Sequence, residues 1–226
     1  MHRTRVKICG ITRPEDARAA AEAGADGIGL IFHPPAPRCL TIERARDILA
    51  TLPAFVTPVG VFVNVSPEQV TQTATDLGLR HVQLNGNEPP DVVRALSRFA
   101  VIKAVRVERD HFGDTLSAWR SAVTDLRLTN LKGLVLETAG TGKAGGTGVP
   151  NDWETVRQHQ RTGSFDGLPV IAAGGLTPET VGRVVRDIRP WAVDVSSGVE
   201  DAPGRKSVHK LAAFIQAVKD ADAAKD

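Results

Sequence analysis

Short apolar-rich runs alternate along the chain with longer segments whose apolar positions recur three and four residues apart, the pattern of strands covered by helices. The strand candidates are Arg5–Cys9, Asp26–Phe32, Pro58–Val63, His81–Leu84, Val101–Val105, Gly133–Glu137, Val170–Ala173 and Ala192–Ser196. Between them, Thr12 with Glu15 and Ser66 with Gln69 have the spacing of capping boxes, each ahead of a helical segment. Val181, Val184, Val185 and Ile188 form a stripe suited to covering a sheet, and Val208, Leu211, Ala212 and Ile215 repeat it in the last helix. Asp114–Val123 and Asp152–His159 carry weaker stripes. Gly24 and Gly78 stand where helices end, and the charged, Ala-rich Lys219–Asp226 reads as a frayed helix terminus.

Eight such β/α units, with no break in composition, predict a single α/β domain over residues 1–226. The expected architecture is a (β/α)₈ TIM barrel, a closed ring of eight parallel strands; an open doubly wound sheet is the alternative. A length of 226 residues and 42% hydrophobic content suit one such barrel. Lys and Arg total 28 against 26 acidic residues, so the net charge is only +2 and no basic run marks a nucleic-acid partner. Two cysteines, Cys9 and Cys39, give no disulfide framework, and the six scattered histidines offer no metal-ligand spacing. No signal-like region and no membrane-length apolar run is present, which predicts a cytoplasmic protein with no membrane partner.

A barrel of this kind carries its site at the C-terminal strand ends. Polar and glycine residues gather there: Cys9-Gly10, Asn85-Gly86, Glu137, Gly174-Gly175 and Ser197-Gly198. Strand alternation puts Lys7 and Cys9 on one face, and Asp194 and Ser196 on another. In a closed ring the first and eighth strands are neighbours, so Lys7 and Asp194 are expected to pair inside. The Lys7 ammonium is expected to favour the Cys9 thiolate, the form that accepts a proton; a small buried hydrophobe is the plainer reading of that cysteine. Glu137, closing an apolar strand, suits a general acid, or a rim carboxylate in a salt bridge. The turns around Gly174-Gly175 and Ser197-Gly198 present backbone N–H groups where barrels bind phosphate, although tight turns need glycine too. Arg38 is a candidate clamp for a carboxylate, whereas Cys39 has no comparable setting. Gly140 to Gly145 matches a dinucleotide-binding pattern, but Gly146 and Gly148 leave no helix for it, and Ala144 after Lys143 excludes a Walker loop. The segment reads as a mobile loop over the site.

The segments Lys7-Ile8-Cys9-Gly10-Ile11-Thr12, Val59-Gly60-Val61-Phe62-Val63-Asn64, Gly145-Gly146-Thr147-Gly148 with Asp152-Trp153, Ala173-Gly174-Gly175-Leu176 and Val193 to Glu200 with Pro203-Gly204 occur in telling order and spacing. Together they resemble phosphoribosylanthranilate isomerases of tryptophan biosynthesis along nearly the whole chain. The resemblance implies an Amadori rearrangement of a phosphosugar substrate, with no cofactor and no metal. It implies that Cys9 is the base, Glu137 the acid and Arg38 the holder of the anthranilate carboxylate. Asp194 would lie near the sugar hydroxyls, Asn85 would face the substrate, and the late glycine turns would bind its phosphate. Monomer and homodimer both stay open. The chain departs from the family at three places. Glu137 stands for the usual aspartate, Leu84-Asn85-Gly86 for Leu-His-Gly, and Ala36-Pro37-Arg38-Cys39 for Ser-Pro-Arg followed by an aromatic residue. A related epimerase-type barrel would carry histidine ligands, and indole-glycerol-phosphate synthase would need lysines, for which Lys103 is available. A phosphosugar-binding barrel without acid catalysis is the non-enzymatic alternative.

Overall fold

Lys7 lies opposite Asp194, and Arg5 opposite Ala192, so the first strand hydrogen-bonds to the last and the sheet closes on itself. The computed structural model describes residues 3–138 and 152–224. The glycine-rich segment Gly140 to Gly148, expected to be a mobile loop, lies outside the described residues. Eight parallel strands form the ring in chain order: β1 (Arg5–Cys9), β2 (Gly27–Ile31), β3 (Thr57–Phe62), β4 (His81–Leu84), β5 (Ala100–Val107), β6 (Leu131–Thr138), β7 (Val170–Ala172) and β8 (Ala192–Val195). The helices α1 (Pro14–Ala23), α2 (Ile42–Leu49), α3 (Pro67–Asp76), α4 (Pro90–Ala95), α5 (Phe112–Asp125), α6 (Trp153–Arg161) and α7 (Pro178–Ile188) connect them, and α8 (Val208–Ala223) follows β8. The open-sheet alternative is therefore set aside. β5 and β6 run longer than their apolar cores because their pairing continues through Arg106 opposite Glu137 to Val107 opposite Thr138 at the rim.

Side-chain alternation sorts the strands into two faces. Val6, Ile8, Val82, Leu84, Val101, Val105, Leu134, Leu136, Val193 and Val195 belong to the large core beneath the helices. Ala104, Val135, Ile171, Ala173 and Ala192 form a separate, smaller cluster inside the ring. By the same parity Lys7, Cys9, Gln83, Asn85, Arg106, Glu137, Asp194 and Ser196 face inward. Lys103 shares the outward face with Val101 and Val105, away from the barrel interior, which removes it as a synthase-type catalytic lysine.

Three local expectations need correction. The first helix starts from Arg13 with no side-chain cap and with Pro14 at its first position. Thr12 instead donates its hydroxyl to the Gly204 carbonyl, a partner 192 residues away that outcompetes the local capping box with Glu15. In α8, Val208 and Ala212 are exposed, and the buried stripe is Leu211, Phe214, Ile215, Val218 and Ala221. The last turn is not frayed through Ala223, because the Thr4 backbone N–H and hydroxyl both donate to Asp222, at 2.7 and 2.8 Å. The capping box at Ser66 and Gln69 is present, and all four residues of the expected α7 stripe are buried. Past β8 the chain makes one 3₁₀ turn, Ser197–Val199, and a small hairpin of β9 (Glu200–Ala202) and β10 (Arg205–Lys206) that no periodic pattern announces. Among the described residues no helix is long and apolar enough to cross a membrane.

Candidate active site

Cys9 ends β1 on the inward face and is only 8% exposed. Its sulfur sits over Gly29 of β2, where a Cβ would come within 2.6 Å of Sγ, so glycine makes the room for the thiol. Two residues earlier, Lys7 donates to both carboxylate oxygens of Asp194 at 2.9 Å, the pairing expected from ring closure. Burial alone would lower the ammonium's pKa; Asp194, and then Cys9, more than reverse this, so Lys7 stays charged. The effect on Cys9 differs from expectation. Burial pushes the thiol above its ordinary range, Lys7 pulls it down, and Asp194 pushes it up again, leaving it raised. The ammonium beside the thiol was legible; the larger desolvation cost of a thiolate in a closed barrel was not.

Glu137 ends β6 on the same inward rim. Asn85, at the end of β4, donates its Nδ2 to both Glu137 oxygens at 3.1 and 3.2 Å. Gln83, two residues back on the same face, donates to Asn85 Oδ1 at 2.6 Å and so fixes which way the amide points. Asn85, expected to face the substrate, is thus engaged with the Glu137 carboxyl. Burial raises the Glu137 pKa, and the Asn85 bond lowers it less, so the net shift is upward from the ordinary carboxylate value. The loop carrying Asn85 is tied from behind. Lys103 donates to the carbonyls of Leu84 and Gly86 and to Glu88, while Glu88 accepts from the backbone N–H groups of Gly86 and Asn64.

Arg38 reaches the same end of the barrel from the loop after β2, where Cys39 forms an isolated bridge to Ile31. Its stem lies on Gly10, at which a Cβ would meet Arg38 Cδ at 2.5 Å; φ at Gly10 is +71°. Nε and Nη2 of Arg38 donate to the two oxygens of Glu200, at 2.7 and 2.6 Å. Glu200 also accepts from Lys206, whose ammonium further donates to the carbonyls of Cys9 and Ser196. Sequence reasoning assigned Glu200 and Lys206 no role. Both lie on the hairpin after β8, whose position over β1 no local pattern predicts.

The two late glycine turns come together. Gly174 and Gly175 both have positive φ, and a Cβ on Gly198 would fall 1.9 Å from the Leu176 carbonyl oxygen. Gly174, Gly175, Ser197 and Gly198 thus line adjoining turns, with the 3₁₀ turn beginning at Ser197. Ser196 Oγ and Gln83 Oε1 are buried and have no hydrogen-bond partner among the described residues. No cluster of three or more possible metal ligands occurs among the described residues.

A family model described as N-(5'phosphoribosyl)anthranilate (PRA) isomerase matches residues 6–217. An N-(5'-phosphoribosyl)anthranilate isomerase of Pseudomonas fluorescens (strain SBW25) is 43% identical over 226 residues, covering 99% of this chain and all of the relative. The crystal structure of phosphoribosyl anthranilate isomerase from Thermotoga maritima superposes with a TM-score of 0.84 at 37% identity, covering 96% of this chain and 99% of the other. A second phosphoribosyl anthranilate isomerase structure, in complex with reduced 1-(o-carboxyphenylamino)-1-deoxyribulose 5-phosphate, gives 0.81 at 37% identity over the same shares. The chain belongs to the N-(5'-phosphoribosyl)anthranilate isomerase family.

Proposed function

We propose that this chain is an isomerase of tryptophan biosynthesis, a single catalytic domain that converts N-(5-phosphoribosyl)anthranilate into 1-(2-carboxyphenylamino)-1-deoxyribulose 5-phosphate. One observation carries the chemical assignment. Cys9 on β1 and Glu137 on β6 both face inward at the C-terminal end of the closed ring, and the Lys7–Asp194 pair acts electrostatically on both. A buried carboxyl with a raised pKa suits a general acid, and a thiolate at the same end of the barrel suits the complementary base.

The protonated Glu137 gives its proton to the ribose ring oxygen. The C1–O bond breaks, and the nitrogen lone pair closes a protonated Schiff base. The Cys9 thiolate takes the proton from C2, and the released electron pair flows into the C1–C2 bond and neutralises the nitrogen. The enolamine becomes the ketone as C1 gains a proton and the C2 hydroxyl loses one, and the proton on Cys9 passes through water to the Glu137 carboxylate, restoring both groups. The cationic Schiff base favours ionisation of Cys9 at the step that needs it, which offsets the desolvation of the resting site. Arg38 holds the anthranilate carboxylate, Asp194 contacts the sugar hydroxyls, and the backbone amides at Gly174, Gly175, Ser197 and Gly198 hold the phosphate. The enzyme works in the cytosol on a small-molecule phosphosugar.

Purified protein mixed with freshly made phosphoribosylanthranilate should abolish the fluorescence of the anthranilate-type substrate catalytically. Tight binding of the reduced product analogue with no turnover would instead make the chain a phosphosugar-binding barrel.

A further inference from the structure

The charges around Arg38 make an incomplete set. Arg38, Glu200 and Lys206 contribute two cations and one anion, and all three side chains are largely withdrawn from water. The Glu200 carboxylate takes the side of the guanidinium formed by Nε and Nη2. That leaves the end formed by Nη1 and the second Nη2 hydrogen, and Nη1 has no partner among the described residues. Two parallel N–H groups there fit one further carboxylate, whose charge would balance the cluster. Glu200 in turn cannot swing away, since the Lys206 ammonium links it to the carbonyls of Cys9 and Ser196 at 2.7 and 3.0 Å. The Arg38 stem passes over Gly10 in space that any side chain there would fill.

We infer that Glu200 is a positioning residue that sets the specificity of the site for an ortho-carboxylated aromatic amine. It fixes which edge of Arg38 faces the substrate, and Lys206 anchors that orientation to the strand end bearing Cys9. Glu200 itself touches no substrate atom. This rests on the reading that Arg38 holds the anthranilate carboxylate.

The test uses two probes: the reduced carboxyphenylamino product analogue and its counterpart lacking the ring carboxylate. Glu200→Gln should weaken the carboxylated probe by about tenfold, the order expected for one misaligned charge-assisted contact, and leave the other within twofold. In turnover, KM should rise more than kcat falls. Glu200→Asp keeps the buried charge that Gln removes, so the two cations stay matched, while its shorter arm does not bring the carboxylate up to the guanidinium, and it should show the same selective loss. Adding Glu200→Gln to Arg38→Ala should cost the carboxylated probe almost nothing more, because an effect transmitted through Arg38 vanishes with it. Equal losses for both probes, or none, overturn the inference. If Arg38→Ala itself fails to discriminate between the probes, the reading of Arg38 is what falls.

Discussion

The Glu137 carboxyl is met at the inward rim by the side-chain amide of Asn85. The amide donates to both carboxyl oxygens and is itself aligned by Gln83. Losing that support should slow the reaction without emptying the site. Asn85→Ala is expected to lower kcat about tenfold, in keeping with a mispositioned acid, with KM nearly unchanged. A rate within twofold of the parent would show that Glu137 needs no such support. Ionisation gives a second test. The proposed mechanism requires Glu137 protonated and Cys9 ionised, and burial raises both pKa values. As pH rises, kcat/KM should climb until Glu137 begins to ionise, stay level while proton loss at one group offsets gain at the other, and fall above the Cys9 range. In Glu137→Gln the fall at high pH should vanish, leaving a climb that ends in the thiol range. Identical profiles in parent and variant would assign the basic limb to another group. Cys9, Lys7 and Asp194 were legible because period-two alternation and ring closure suffice to place them. Gln83 obeys the same rule, yet its use depends on what Asn85 faces, which only the β4-to-β6 geometry reveals.

Elements read well where a stripe or a cap is decided locally, and poorly where a distant partner competes. The α7 stripe and the Ser66 box belong to the first kind. Thr12, drawn to Gly204, and the end of α8, held by Thr4, belong to the second. The hairpin of β9 and β10 has too few residues for any period, so Glu200 and Lys206 could not be placed from sequence. The two late glycine turns fall between these cases: glycine marked both, but not their contact. Gly198→Ala would press a methyl group onto the Leu176 carbonyl and force the turns apart. The expected result is at least about tenfold weaker binding of inorganic phosphate and of the reduced product analogue, measured by calorimetry. Unchanged affinity for both would place the phosphate elsewhere.

On the scale of the whole molecule, the barrel closes through a charged seam between its first and last strands. Lys7 and Asp194 are each 7% exposed, and removing one partner strands the other charge in the interior. Asp194→Ala should therefore destabilise the fold by about 3–5 kcal/mol in urea unfolding. A loss under about 1 kcal/mol would mean that Lys7 finds another anion or reaches water. The same closed ring brings Cys9 on the first strand and Glu137 on the sixth to its C-terminal end, so the division of labour between them is the central claim. It is tested most directly by the turnover of Glu137→Gln beside Cys9→Ser, with binding of the reduced product analogue measured on the same preparations. Both variants should lose at least about 10²-fold in kcat while binding the analogue as the parent does. Parental turnover in either variant would contradict the assignment of acid and base.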